Sequence, residues 1–392
     1  MMSGMYINVE LLTGGYMSHK VIQVRRLSVI YVMSLCILYS LRLPAVASVS
    51  GLGISGYISP TYIYSGAQGI SSFMYGNGTK PFGYYSANSA AGALYLSANE
   101  KFKNGSDIQL SFIPNVSPDA PYYIARAKVP IYDRWSAIAG LMPTWNSYDS
   151  WSSVYLPTVT RSLTVAYTIP AYMIGAGLEW SGKKRWFKVL VGNLNTPIQA
   201  YSSRPSVESI FGYHVSNKLT LWDYALYGQL NSPNGLGNVY HDDIDASYNI
   251  RNVTIGGDLF YEGWQKGAVN GGTAADYGGE VMTNYAITTK TMVTIRYDYF
   301  NDTKNGGVAD ISTAQSGFLP VAPNVGPTRK EVTIAAQFKV NAELITKLEY
   351  RYDWSNSDTF GLYRNEYDAS KNIQYGTTNH SSLVGVQIVY EF

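Results

Sequence analysis

The sequence predicts an all-β chain: a transmembrane antiparallel β-barrel of about sixteen strands, with short turns at one end and long loops at the other. Three observations predict it. Apolar and polar residues alternate with a period of two in segment after segment, the pattern of a strand with one greasy and one wet face. The connections alternate between short and long, as they do when the two ends of a barrel lie on opposite sides of a membrane. The composition has 35 Tyr, 37 Gly and only 14% charged residues, against about 25% charged in ordinary soluble proteins. Tyr, with an apolar ring and a polar tip, suits a boundary between water and lipid.

The N-terminal part reads as a signal for export. His19, Lys20, Arg25 and Arg26 form a positive region, Leu27 to Leu41 an apolar run, and Ala45-Val-Ala47 a cleavage site of small residues. The run is shorter than the roughly 18–20 residues that a spanning helix needs, and Arg42 and Pro44 end it. Residues 17–47 are therefore expected to be a cleaved signal peptide, residues 1–16 an upstream extension before the true start at Met17, and residues 48–392 a single barrel. Cys36, the one cysteine of the sequence, lies in the apolar run, so the mature chain has no disulfide, thiol nucleophile or Cys-ligated metal. Losing residues 1–47 removes four bases (Lys20, Arg25, Arg26, Arg42) and one acid (Glu10), taking the net charge from +2 to −1. That balance excludes a basic footprint for nucleic acid.

Strands are expected near 52–64, 91–102, 107–113, 121–130, 135–142, 171–180, 186–193, 206–213, 219–228, 244–250, 253–262, 275–285, 291–300, 329–340, 344–354 and 380–392. Short turns such as Lys103-Asn-Gly-Ser106 and Arg251-Asn252 carry hairpin chemistry. Long connections fall at 65–90, 143–170, 193–205, 229–243, 263–274, 301–328 and 355–379. Pro60 interrupts the first strand and predicts a bulge there. Segment 160–169 alternates well enough to be a wall strand, and with one more the barrel would have eighteen. It is placed instead in loop 143–170, folded inward.

The charges within strands fall on the parity opposite the apolar residues. Val293, Ile295, Tyr297 and Tyr299 alternate with Arg296 and Asp298; Leu348, Tyr350, Tyr352 and Trp354 alternate with Lys347, Glu349, Arg351 and Asp353. A basic residue facing lipid at mid-depth costs roughly 2–4 kcal/mol, whereas one facing a wet lumen costs little. The lumen candidates are Arg126, Lys128, Lys188, Glu208, Asp258, Glu280, Arg296, Asp298, Lys339, Lys347, Glu349, Arg351 and Asp353, with Glu179, Asp223, Asp245, Glu262 and Glu331 on the same reading. Eleven acids against seven bases favour cations weakly, unless loop 143–170 narrows the lumen. That loop carries Arg161, the constriction candidate, with Asp149 as its one acid. Such charges either orient permeating solutes or neutralise one another along the wall.

No two mature histidines stand at metal or catalytic spacing. His241-Asp-Asp-Ile-Asp245 offers oxygens to a cation, but it lacks regular calcium-loop spacing and reads as a solvated loop cluster. Catalytic residues, cofactors and metals are accordingly not expected.

The last strand, Ser382 to Phe392, presents Val384, Val386, Ile388, Tyr390 and Phe392 on one face. It resembles the closing strand of bacterial outer-membrane barrels, which implies that Ile388, Tyr390 and Phe392 act as the insertion signal read by the barrel-assembly machinery. Further residues carry a family resemblance: Ala139-Gly-Leu-Met-Pro-Thr144, Thr160-Arg-Ser-Leu163, Ile169-Pro170 with Gly175 and Gly177, Ile295-Arg-Tyr-Asp-Tyr-Phe300, and Leu348-Glu-Tyr-Arg-Tyr-Asp-Trp-Ser355 with Phe360. Across most of 135–392 the chain resembles the OmpL-like β-barrel porins of Gram-negative outer membranes, departing from them at Gly192-Asn193. The resemblance implies a water-filled channel for passive diffusion of ions and small hydrophilic solutes, set in outer-membrane lipid, without catalysis and open to assembly as a homotrimer. The alternative is a barrel that binds a partner or surface through loops 65–90, 301–328 and 355–379.

Overall fold

A computed structural model describes residues 52–65, 67–68, 94–113, 122–145, 148–150, 154–167, 172–195, 204–232, 234–268, 271–304, 328–357, 361–362, 367–368, 373–374 and 379–392. The expected signal segment lies outside them. The wall has sixteen strands: β1 (Leu52–Ile58 with Thr61–Ser65), β2 (Leu94–Lys101), β3 (Asp107–Ile113), β4 (Tyr122–Tyr132), β5 (Trp135–Pro143), β6 (Tyr172–Ser181), β7 (Arg185–Asn195) and β8 (Ser206–His214). These continue into β9 (Leu219–Ser232), β10 (Gly235–Ile250), β11 (Val253–Trp264), β12 (Ala274–Ala286), β13 (Thr291–Lys304), β14 (Thr328–Lys339), β15 (Leu344–Ser355) and β16 (His380–Glu391).

Each strand pairs antiparallel with the next, and β16 returns to β1, which closes the sheet. Closure satisfies every ladder and leaves no edge, the condition for strands in lipid. The seam ends on the last residue: Phe392 N donates to Gly56 O at 3.0 Å, and Gly56 N to Phe392 O at 2.9 Å. Pro60 produces no bulge. The ladder runs from Ile58↔Tyr390 to Thr61↔Gln387, three residues along each strand, so the register is kept across a short gap. Proline removes one donor, but its carbonyl still accepts from Ile388 N at 3.1 Å.

The described part of segment 160–169, residues 160–167, adds no wall strand. It contributes a single helical turn, α1 (Leu163–Tyr167), inside the barrel. The wall's polarity is inverted relative to a soluble sandwich. Ile295, Ile334 and Leu348 point outward and are about half exposed (53%, 50% and 51%), while Arg296 and Arg351 point inward and are wholly buried. Outward apolar residues bury themselves in lipid rather than in a protein core.

Candidate functional site

Strand register assembles the interior. Six carboxylates stand in one row across six adjacent strands, each directly opposite the next: Asp245↔Asp258, Asp258↔Glu280, Glu280↔Asp298, Asp298↔Glu331 and Glu331↔Asp353. All six are buried on the inner face. Like charges directly opposite one another destabilise a sheet, so the row needs compensation. On β13–β15 two arginines supply it, one step along each strand. Arg296 grips Glu331 in a fork at 2.9 and 3.1 Å and lies 3.5 Å from Asp298. Arg351 lies 2.9 Å from Glu331 and 2.6 Å from Asp353. Planar guanidinium groups suit such bidentate work.

The same arginines hold the loop that enters after β5. Arg296 donates to the carbonyl of Thr160 and that of Arg161, both at 2.9 Å, and to Thr158 Oγ1 at 3.1 Å. Arg351 donates to the Arg161 carbonyl at 2.6 Å. Lys347 donates to Leu156 O at 2.6 Å, Thr160 N to Glu349 at 3.0 Å and Leu163 N to Asp298 at 2.9 Å. Asp149 accepts from Ser162 N at 2.9 Å and faces Arg296. Burial pushes the Asp149 carboxyl above its ordinary range, and Arg296 acts against that shift. Two inward glycines make room for the loop. A Cβ at Gly256 would meet the Tyr148 ring, and one at Gly385 would stand 3.0 Å from Val159 Cγ1. Residues 148–150 and 156–165 therefore lie against the β11–β16 wall, which takes up backbone groups of Leu156, Thr160, Arg161 and Leu163.

The opposite wall differs. A cavity of about 590 Å³ runs along β1–β6, bounded by Glu343 and Glu391 at the short-turn end and by Pro143 and Tyr172 at the long-loop end. On β2 and β3 its wall is hydroxyl and amide, with Ile124 and the loop residues Val154 and Tyr155 lining it elsewhere: Tyr95 Oη and Ser97 Oγ each lie 2.9 Å from Ser111 Oγ, and Gln109 Nε2 donates to the same oxygen at 3.2 Å. Tyr57 stacks on Tyr95 with centroids 5.2 Å apart. Nearby, Arg126 lies 3.7 Å from Asp107 and Lys128 2.6 Å from Glu179, with the side chains of both bases still partly exposed.

The structure places Arg126, Lys128, Lys188, Glu208, Asp258, Glu280, Arg296, Asp298, Lys347, Glu349, Arg351 and Asp353 on the inner face, with Lys339 exposed at its short-turn rim. It gathers Arg296, Asp298, Lys347, Glu349, Arg351 and Asp353 around the loop. Arg161 is buried within that contact, 4% exposed, and contributes its carbonyl. Ile388, Tyr390 and Phe392 face outward.

Three features differ from the sequence reading. Asp223 faces outward, because β9 turns Trp222, Tyr224 and Leu226 inward. Both faces of β9 are apolar, so parity there carried no direction. The inward residues join an apolar cluster with Ile138, Met173, Leu190, Leu194 and Ile210, which assigning all apolar residues to lipid overlooks. And β10 begins at Gly235, so His241 to Asp243 lie on a wall strand rather than in the loop expected at 229–243. His241, Asp243 and Asp245 point inward and are buried, and Asp242 points outward.

A closed sixteen-strand antiparallel barrel with an apolar outer band, a charged interior and an inward loop defines an outer-membrane β-barrel of porin type. Comparisons agree. The family model described as "Putative beta-barrel porin-2, OmpL-like" matches residues 73–392, and the chain belongs to that family. The fold is similar to a loop-deletion form of OmpT, an outer membrane protein of Vibrio cholerae (TM-score 0.58, 12% identity, 87% of this chain and 99% of that one). It is similar also to OmpF of Salmonella typhi (TM-score 0.55, 14% identity, 87% and 97%) and to OprB of Pseudomonas putida (TM-score 0.53, 11% identity, 87% and 94%). No curated protein sequence matches the chain.

Proposed function

We propose that this outer-membrane barrel is a channel for passive diffusion of ions and small hydrophilic solutes, and that its passage follows the β1–β6 wall. The observation that carries this reading is the cavity bounded at both rims and lined by hydroxyls, amides and tyrosines. The loop seals the β11–β16 side by burying its arginines and Lys347, and so acts as the constriction. Because nearby charges dominate when screening extends over about 8 Å, ion preference follows the groups at the passage: Glu343 and Glu391 line it, while Arg126 and Lys128 stand beside it paired with Asp107 and Glu179. The weak cation preference expected from counting is kept, for this local reason. No catalytic step is assigned. Association in threes is part of the proposal, supported by the trimer form of Vibrio cholerae OmpT, a fold neighbour (TM-score 0.55, 13% identity).

Reconstitution in a planar bilayer tests the reading. Discrete ohmic steps, roughly linear in salt, are expected. A silent bilayer with correctly folded protein would reject it.

A further inference from the structure

The row of six carboxylates is compensated unevenly. Its β13–β15 half has Arg296 and Arg351. Among the described residues, the inner faces of β10–β12 carry no Lys or Arg. Their one basic group is His241, taken up by Glu262 at 2.9 Å and 4.0 Å from Asp243. Asp245 is wholly buried, and neither of its carboxylate oxygens makes a hydrogen bond. Glu280, 5% exposed and two strands away in the same row, is in the same position: both its oxygens lack a hydrogen bond. Its neighbours on the inner face are acids too: Asp258 stands directly opposite, and Asp243 lies two residues before it on the same face. An ionised carboxylate buried without compensation costs several kcal/mol.

The geometry supplies a remedy. One carboxylate oxygen from each of Asp243, Asp245 and Asp258 lies within 4.8 Å of the other two. Calcium takes 6–8 oxygen ligands at about 2.3–2.6 Å, so two oxygens on one ion stand at most about 5 Å apart. We propose that Asp243, Asp245 and Asp258, with Glu280 beside them, bind a hard divalent cation of the calcium class on the β10–β12 wall. Asp258 also accepts from Tyr148 N and Thr164 Oγ1, both at 3.3 Å. The ion thus fastens the loop to β11 as the arginines fasten it to β13 and β15.

The test uses the refolded barrel in detergent after EDTA treatment. Unfolding temperature is followed while calcium chloride is added, against sodium chloride of equal ionic strength. Calcium is expected to raise the unfolding temperature saturably, as a ligand of the folded state does, and sodium chloride is not. The double variant D243N/D245N is expected to lose at least tenfold in calcium affinity. Its metal-free form should melt no lower than wild type, because substitution relieves the repulsion among Asp243, Asp245 and Asp258 while His241 keeps its shorter contact to Glu262. The outer-face variant D223N/D242N should keep the response. Terbium luminescence excited through Tyr148 and displaced by calcium gives a second measurement on the unaltered chain. A wild type indifferent to calcium, an equal effect of sodium chloride, or an unchanged response in D243N/D245N would overturn the site. None of these readouts depends on conductance, so failure here leaves the channel reading standing.

Discussion

The two walls of the lumen solve opposite problems with the same strand geometry. The β11–β16 wall concentrates charge and has a loop laid over it. The β1–β3 wall is built from Ser97, Asn99, Gln109, Ser111 and tyrosines, and it borders open space. On the β13–β15 part of the first wall the arginines are spent on protein: Arg296 alone meets Glu331, Asp149, Thr158, Thr160 and Arg161. On the second the groups satisfy one another in a short network and keep their remaining capacity for water. The charged wall is thus an anchor for the loop, and the hydroxyl-and-amide wall borders the cavity proposed as the path. Counting lumen charges confuses the two roles, because a buried ion pair exerts little pull on a passing ion.

The largest effect is expected where both walls depend on closure. Phe392→Asp removes the outward terminal aromatic beside the β16–β1 seam and should sharply reduce insertion, scored by outer-membrane fractionation and by gel mobility before and after boiling. Normal heat-modifiable protein in the membrane would contradict it. Next comes Arg296→Met. It leaves Glu331, Asp298 and Asp149 short of their partner, and breaking a buried pair costs on the order of 3–5 kcal/mol. The unfolding temperature in detergent should fall, and single-channel current should become larger or noisier as the loop loosens. Unchanged melting and unchanged current would separate the anchor from the loop.

A smaller effect distinguishes exposed from buried bases. Arg126→Ala or Lys128→Ala should move the reversal potential under a salt gradient toward cations, while Lys347→Ala, 1% exposed, should leave it in place. Equal shifts would show that the loop does not cover the β15 wall. The smallest effect is at the outer face. Asp223→Asn should stabilise the barrel by about 1 kcal/mol or less, since acids facing lipid cost less than the roughly 2–4 kcal/mol of Arg or Lys. Destabilisation on thermal melting would mean that this carboxylate has a partner, and a neighbouring copy would be its source.

The contrast between walls also explains what the sequence could disclose. Strands β13, β14 and β15 were legible to within a few residues, because one face meets lipid and the other carries charge. In β9 Leu221 and Tyr227 face out while Trp222, Tyr224 and Leu226 face in, so alternation vanished and Asp223 took the wrong side. The start of β10 was missed because Gly235, Gly237, Asn238 and the acidic run at 241–245 carry turn and loop chemistry. The loop's docking was unreadable for a different reason: Thr160 and Glu349 lie 189 residues apart. The six-carboxylate row needs the register of five successive hairpins, which turn lengths and ladders fix together. Each acid taken alone reads as an ordinary lumen charge.

In the proposed channel, solutes pass along the hydroxyl-and-amide wall while the charged wall stays sealed. Single-cysteine variants test it most directly, since Cys36 lies in the segment expected to be removed and the mature barrel offers no competing thiol. Gln109→Cys lies on the open wall, and Thr333→Cys replaces a wholly buried inward residue beneath the loop. A charged thiol reagent is added to open channels during single-channel recording. Stepwise loss of current in Gln109→Cys with no response in Thr333→Cys is the predicted result. Modification of Thr333→Cys with an inert Gln109→Cys would place the passage on the other wall and contradict the account.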